Sequence, residues 1–363
     1  PERRAPLTPG VGQTRVIVVA DALTDGVVLG VDVGFSPTSR STCFCTLEWD
    51  RSNARLRFCL TTTSPAERRA ALDMLVNDRR VAGVALDGPL AKGFRLISHY
   101  RAAEAILSRG VLQKRGKPGQ TSAPVGQKLH AHASELAALI VQQVRVDPAT
   151  HCDPIARDRV VEAFPNIYLA ALVDEVHLSP VARNASDVYW CSLVGTSSKL
   201  AHHVGELLPG RRLDLDLASI SNHDHRAGVI CALTALSVAL DKHVAVGDAL
   251  DGDIMLPAQT DWGISATIPG TWLEPVLRAN LATVRTGRRA HDNHKNARIT
   301  GLRGMPQPNR PLDPTAILPP FGRSAVRRST AGRWADNGHE SGERLRVGSI
   351  RRSVNDAHLQ HRS

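Results

Sequence analysis

The sequence is poor in aromatic residues: Phe, Trp and Tyr together make up 4% of its 363 residues. A globular core must therefore consist mainly of Ala, Val and Leu. The six cysteines include no Cys-x-x-Cys pair, so no zinc site is expected, and no disulfide framework is expected in so long a chain. The N-terminal segment offers only a five-residue apolar run, "VIVVA", too short for a signal-peptide core or a membrane span. We expect a cytoplasmic protein with no membrane partner.

The body of the chain has no excess of either charge, although the formal net charge is +10. Residues 283–363 hold 16 Lys and Arg and 6 Asp and Glu, which leaves 29 residues of each sign in 1–282. A nucleic-acid partner for the folded body must therefore be argued from local groups and not from overall charge. The same count predicts three parts: an N-terminal extension (1–26), one folded domain (27–282) and a basic, disordered tail (283–363).

The order of predicted elements indicates an α/β protein. "VVLGVDV" (27–33), "STCFCTLEW" (41–49) and "RLRFCLTTT" (55–63) are strand-like and joined by short turns, which favours an antiparallel meander. "SPAE" (64–67) begins a helix, with Ser64 as N-cap and Pro65 in the first helical position. The wholly apolar "VAGVALD" (81–87) predicts a strand buried on both faces. Further helices and the short strand "DRVVEAFP" (158–165) follow, so we predict a mixed sheet with helices on both faces.

Three aspartates occupy places where carboxylates can meet. Asp32 ends the first predicted strand, Asp87 ends the buried fourth strand, and Asp224 opens the last apolar helix. The crossover helix returns the chain beside the first strand, so the first two aspartates should lie about 5 Å apart at the backbone. Two carboxylates that close repel each other unless a cation neutralises them. Oxygen ligands suit Mg²⁺ or Mn²⁺, and such ions support phosphodiester cleavage.

Six segments, in order, resemble an uncharacterised family of predicted nucleases with an RNase H-like fold. They are "GVDVGFS", "ALDGPL", "YRAAEAIL", "KPGQTSAPVGQKLH", "VEAFPNIYLAALV" and "HDHRAGVICALTA", and they span about residues 27–258. The resemblance implies an RNase H-like mixed sheet and a metal-dependent hydrolase acting on DNA or RNA.

The resemblance also implies a set of site residues. Asp32 and Asp87 match the first two acidic positions, Glu162 the acidic residue of "EAFP", and Glu104 the glutamate of the preceding helix. The last position departs from the pattern, because Arg226 stands where an aspartate is expected and Asp224 lies two residues earlier. On a helix that shift rotates a side chain by about 200°. The remaining candidates are Lys128, and His223 and His225 as ligands or proton carriers.

Each of these residues also has a purely structural interpretation. Asp32 and Asp87 could be turn residues, and Asp224 could cap its helix. Glu162 could form a buried ion pair with an arginine, and Glu104 a surface pair with Arg101 three residues away.

Three functions stay open on the sequence. The first is a Mg²⁺- or Mn²⁺-dependent nuclease with Asp32, Asp87 and Asp224 as metal ligands and Glu162 as an auxiliary catalytic ligand. The second is a degenerate RNase H-like module that binds nucleic acid or protein without cleavage, which Arg226 favours. The third is a sugar-kinase or actin-like phosphotransferase, since these also open on a "GxDxG" strand; "GDALDGD" (247–253) lacks the glycines of their second phosphate loop.

Overall fold

The computed structural model describes residues 24–90, 100–116, 118–146, 160–174, 185–195, 198–261, 272–287 and 294–302. Almost all of the predicted N-terminal extension and most of the predicted tail lie outside these residues.

The described residues form eleven strands and eight α-helices. The strands are β1 Gly26–Asp32, β2 Thr42–Trp49, β3 Asn53–Thr61, β4 Arg80–Val81, β5 Gly83–Asp87, β6 Arg145–Val146, β7 Val160–Ala163, β8 Arg212–Leu213, β9 His243–Asp248, β10 Gly252–Pro257 and β11 Arg298–Thr300. The α-helices are α1 Pro65–Val76, α2 Ala102–Leu107, α3 Pro124–Gln143, α4 Pro165–Leu172, α5 Ala185–Val194, α6 Lys199–Leu207, α7 His223–Ala239 and α8 Leu273–Thr286.

Nine of the strands form one mixed sheet in the order β11-β9-β10-β7-β5-β1-β2-β3-β8. The four central strands β1, β5, β7 and β10 run parallel, and β2 pairs antiparallel with both β1 and β3. The strands β4 and β6 form a separate parallel pair. The predicted meander and the predicted pairing of the first strand with the buried strand are both confirmed.

Helices cover both faces of the sheet. Successive side chains of a strand point to opposite faces, so a central strand contributes side chains to the core on each face. On one face, Val27, Leu29 and Val31 of β1 pack in a buried cluster with residues of α1 and α3. On the other face, Val28 belongs to a larger cluster that includes α2 and the helices from α4 to α8. The prediction of an α/β protein with helices on both faces is therefore confirmed.

The helix α7 lies directly on β1, with no side chain between the two backbones. A Cβ atom at Gly30 would overlap the backbone nitrogen of Ala232 and lie 2.5 Å from the carbonyl oxygen of Gly228. A Cβ atom at Gly228 would in turn lie 3.0 Å from Cys43 Sγ. Glycine at position 30 permits the close contact with β1, and glycine at position 228 permits α7 to pack on Cys43 of β2. The contact at Gly30 brings the start of α7 to the end of β1.

The structure differs from the sequence prediction at several element boundaries. The predicted domain end at residue 282 falls inside α8, and β11 pairs with β9 beyond it, so the sheet continues past this point. The single helix expected over 185–207 is two helices, α5 and α6, and Ser198 before α6 has a left-handed backbone (φ 46°) that a continuous helix does not allow. The strands β6, β8, β9 and β11 and the helix α8 were not predicted.

Within the described ranges, no helix combines the length and apolar character needed to cross a membrane. The five described cysteines are free thiols: Cys43, Cys45, Cys59, Cys191 and Cys231.

Candidate functional site

Asp32 and Asp87 lie side by side at one edge of the sheet. They are the last residues of β1 and β5, and the parallel pairing of these strands places their Cα atoms in register. Neighbouring strands are about 4.8 Å apart, and parallel strands end at the same edge of a sheet. The structure thus brings together the two carboxylates that the sequence predicted to meet.

No group in the part of the chain that the structure describes forms a hydrogen bond or an ion pair with the carboxylates of this aspartate pair. Both side chains are partly buried. Burial raises the pKa of Asp32 well above its usual range, and the negative charges of Asp87 and Asp224 raise it further. Burial also raises the pKa of Asp87 to about 7, where nearby Glu162 acts in the same direction and His223 against it. Two adjacent carboxylates with raised pKa values suit a bound cation, whose positive charge would offset theirs.

The raised pKa of Asp87 predicts a pH-dependent stability. In the unfolded chain this carboxyl titrates near 3.8, whereas in the folded protein it titrates at about 7. The folded state therefore binds the Asp87 proton more tightly than the unfolded state does. The stability that this proton contributes is fully present below pH 3.8 and is lost as the pH rises through 7. We expect metal-free protein to lose stability over this window relative to Asp87→Asn, as measured by thermal melts from pH 4 to 8. Parallel curves for the two proteins would contradict the assignment.

A cavity of about 220 Å³ opens over the aspartate pair. Its other walls come from the N-terminal turns of α4, α5 and α7, which supply Pro165, Asn166, Ala185, Ser186, Asp187, His223, Arg226 and Ala227. The close contact between α7 and β1 explains why the α7 residues reach this edge of the sheet. The cavity therefore combines two carboxylates on its sheet side with an arginine and a histidine on its helix side.

Asp187 joins this site from α5 and was not singled out by the sequence. Its Oδ1 atom accepts a hydrogen bond from Arg226 Nη1 at 2.9 Å and lies 3.1 Å from His223 Nδ1. Burial raises the pKa of Asp187, but the hydrogen bonds with His223 and Arg226 outweigh it and the pKa is lowered overall. The sequence carried no signal for Asp187, because its partner Arg226 lies 39 residues away along the chain.

Asp224 is close enough to influence Asp32 but does not line the cavity. It lies in the first turn of α7, and the N-cap is Asn222, whose Oδ1 accepts from the His225 backbone N–H at 2.9 Å. The interpretation of Asp224 as the helix cap is therefore wrong. Burial raises its pKa, and His223 and His225 act against that shift.

The three predicted metal ligands do not form a closed triad. Within the described ranges, Asp32, Asp87 and Asp224 are not a group whose ligand atoms all lie within 4.8 Å of one another. Asp32 and Asp87 fit a hard cation by donor type and by their lack of partners, with Asp224 available only through a change of position. Its role as a ligand stays a prediction.

Glu162 forms the buried ion pair that was its structural interpretation. Arg101 Nη1 donates to Glu162 Oε2 at 2.7 Å and Nη2 to Oε1 at 2.5 Å, while Arg101 Nε donates to Glu104 Oε1 at 2.9 Å. Glu104 also accepts from the backbone N–H of Thr121 at 3.1 Å. The expected pair of Arg101 with Glu104 exists, but it is buried and not on the surface, with both residues at most 2% exposed. Neither Glu162 nor Glu104 lines the cavity over the aspartate pair, although Glu162 is near enough to raise the pKa of Asp87.

Two other candidates have aromatic partners. The His225 ring stacks on Phe58, with centroids 4.6 Å apart, and burial lowers its pKa despite the opposing effect of Asp224. Lys128 places its Nζ 4.8 Å from the centroid of Phe35, which follows β1. Neither residue lines the cavity over the aspartate pair. His223 does, and it is the histidine that the structure brings to the site.

One group of three possible metal ligands occurs elsewhere in the described residues, formed by Asp248, Asp251 and His294. Asp248 Oδ1 accepts the backbone N–H groups of Leu250 and Asp251 at 2.8 and 2.7 Å, which stabilises the turn between β9 and β10. Asp248 and Asp251 belong to "GDALDGD" (247–253), which was compared on the sequence only with a phosphate loop, and His294 was not singled out.

We compared the chain with protein-family models, with curated proteins and with solved structures, and found no match to any of them.

Proposed function

We propose that the protein is a divalent-metal-dependent hydrolase of phosphodiester bonds in nucleic acid, with Asp32 and Asp87 holding the metal. The observation that carries this proposal is the in-register pair of partly buried, unpartnered carboxylates at the floor of a cavity. Burying charge without a partner is unfavourable, so a fold that retains two such groups side by side indicates a functional ligand.

The ligand that best fits the pair is Mg²⁺ or Mn²⁺, because both donors are carboxylate oxygens. When bound, such an ion lowers the pKa of a coordinated water and offsets negative charge on a phosphate. The chain's own contribution is to fix the two carboxylates on adjacent strands and to place Arg226 and His223 on the opposite wall. The order β3-β2-β1-β5-β7, with β2 antiparallel to β1, supports the RNase H-like fold that the sequence resemblance implies.

A second candidate function is a non-catalytic module that binds nucleic acid. Two observations favour it: Arg226 occupies the position expected to be acidic, and Glu162 is fully engaged by Arg101. A cation bound by two carboxylates alone is held more weakly than one held by three or four.

Metal-dependent cleavage separates these candidates. The full chain is incubated with end-labelled single- and double-stranded DNA and RNA in Mg²⁺, Mn²⁺ or EDTA, and products are resolved on gels. We expect cleavage in Mg²⁺ or Mn²⁺ and none in EDTA, with unchanged activity in Asp78→Asn, an exposed aspartate in a left-handed position that suits asparagine. Binding without cleavage under every condition would favour the second candidate, and cleavage in EDTA would rule out the metal mechanism.

A further inference from the structure

Arg226 is held rigidly at the cavity wall. Its Nε donates to the carbonyl oxygen of Ile220 at 2.8 Å, and its Nη1 donates to Asp187 Oδ1 at 2.9 Å. The guanidinium also lies over the Trp190 ring, 5.9 Å from the centroid, and the side chain is only 18% exposed. Two hydrogen bonds and an aromatic contact thus fix the plane of the group before any ligand arrives.

The third nitrogen of this guanidinium, Nη2, has no protein partner within the described ranges, since it makes no hydrogen bond with any group there. It is also not one of the fully buried polar atoms that lack a hydrogen-bond partner in those ranges. Because Arg226 lines the cavity, N–H donors that the protein leaves unpaired are accessible from it. The polar residues Asn166 and Ser186 line the same cavity.

We propose that Arg226 is a substrate-binding residue that donates to a non-bridging oxygen of a backbone phosphate, and that Asp187 is the positioning residue that holds it there. This inference rests on the proposed function and names what recognises the substrate at that site. A fixed, planar, permanently charged donor suits phosphate oxygens better than a flexible ammonium does. Arg226 stands where the sequence pattern predicts an aspartate, and in this proposal it binds the substrate from the wall opposite the aspartate pair.

A purely structural role is the competing interpretation, in which Arg226 and Asp187 only join α7 to α5. Such a pair has no preference for a charged ligand over a neutral one of the same shape. The test therefore compares the binding of a dithymidine phosphodiester with the binding of its uncharged methylphosphonate analogue. A diuridine phosphodiester is included as the RNA counterpart.

Binding is measured by NMR titration of the full-length chain carrying Asp32→Asn, in EDTA, so that no cleavage is possible and repulsion from the site is reduced. A charged hydrogen bond predicts that this protein binds the phosphodiester about tenfold or more tightly than the methylphosphonate. Adding Arg226→Gln should reduce that ratio to about one. Arg226→Lys should retain only part of it, because the lysine keeps the charge but loses the planar donors.

Two controls keep the result interpretable. Arg51→Gln removes an exposed arginine and should leave the ratio unchanged. If Arg226→Gln lowers the melting temperature, the Asp187→Asn, Arg226→Gln double variant removes both charges and is used in its place. An equal ratio with and without Arg226, or no discrimination by the Asp32→Asn chain, overturns the assignment. Failure of metal-dependent cleavage would instead affect the proposed function alone, because this measurement involves no metal and no turnover.

Discussion

Asp32→Asn should reduce metal-dependent cleavage to background while leaving the melting temperature unchanged or raised. The amide is a poorer ligand for a hard cation than a carboxylate, so the cation loses one of its two principal donors. At the same time the substitution removes a partly buried charge next to Asp87, whose presence raises the pKa of Asp32. Loss of activity with retained or increased stability is the pattern expected of a site that is electrostatically strained for function.

The measurement pairs gel-based cleavage with thermal melts in EDTA and in Mn²⁺. Mn²⁺ should raise the melting temperature of the wild-type chain but not that of Asp32→Asn, since only a native-state ligand shifts the folding equilibrium. Asp78→Asn serves as the matched control, because it makes the same chemical change at an exposed position. Full activity in Asp32→Asn, or an equal response of both proteins to Mn²⁺, would remove the aspartate pair from the mechanism.

Arg101, Glu104 and Glu162 form a buried charged network near the aspartate pair. Within this network, Arg101→Ala should be the most destabilising single substitution. Arg101 is 2% exposed and bonds to both Glu162 and Glu104, which are 4% and 1% exposed. Its removal leaves two buried carboxylates without their cation, and breaking a buried pair in this way costs about 3–5 kcal/mol. Urea denaturation of the two full-length proteins measures the difference. The damage should extend to the site, because Glu162 already acts on Asp87 from nearby.

Replacing Glu104 and Glu162 with glutamine tests whether their unpaired charges cause the loss of stability in Arg101→Ala. Glu104→Gln with Glu162→Gln in the Arg101→Ala background should recover part of the lost free energy of unfolding, as the remaining groups are then uncharged. Arg40→Ala provides the contrast, since Arg40 is 69% exposed and its pair with Glu67 is 3.9 Å long. That substitution should change stability by less than about 1 kcal/mol. A similar effect for Arg40 and Arg101 would show that burial does not govern this network.

The sequence was sufficient to predict the aspartate pair because its determinants are local. An apolar strand ending in Asp32, a second ending in Asp87 and a capped helix between them specify a parallel neighbour pair by chain connectivity alone. The capping of α1 followed the same logic: Ser64 Oγ accepts from the Glu67 backbone N–H at 3.5 Å, as "SPAE" predicts.

What escaped prediction depends on contacts between distant segments. Asp187 and Arg226 are 39 residues apart and meet only because α5 and α7 begin at the same cavity. Likewise β11 is a three-residue strand whose pairing with β9 carries no periodic signal. The direction in which Glu162 faces was also undetermined, because a carboxylate in an apolar strand suits a metal ligand and an ion pair equally well.

The contact at Gly30 between β1 and α7 joins backbone atoms directly, so backbone atoms set the separation between the two walls of the cavity. Because Gly30 lets the β1 backbone touch the backbone of α7, no side chain at this position acts as a spacer that substitution could shorten or lengthen by small steps. A methyl group at Gly30 would overlap the Ala232 nitrogen and lie 2.5 Å from the Gly228 oxygen, so it would force the helix away from the strand. Arg226 and His223 would then move away from Asp32 and Asp87, and the cavity would widen from its helix side.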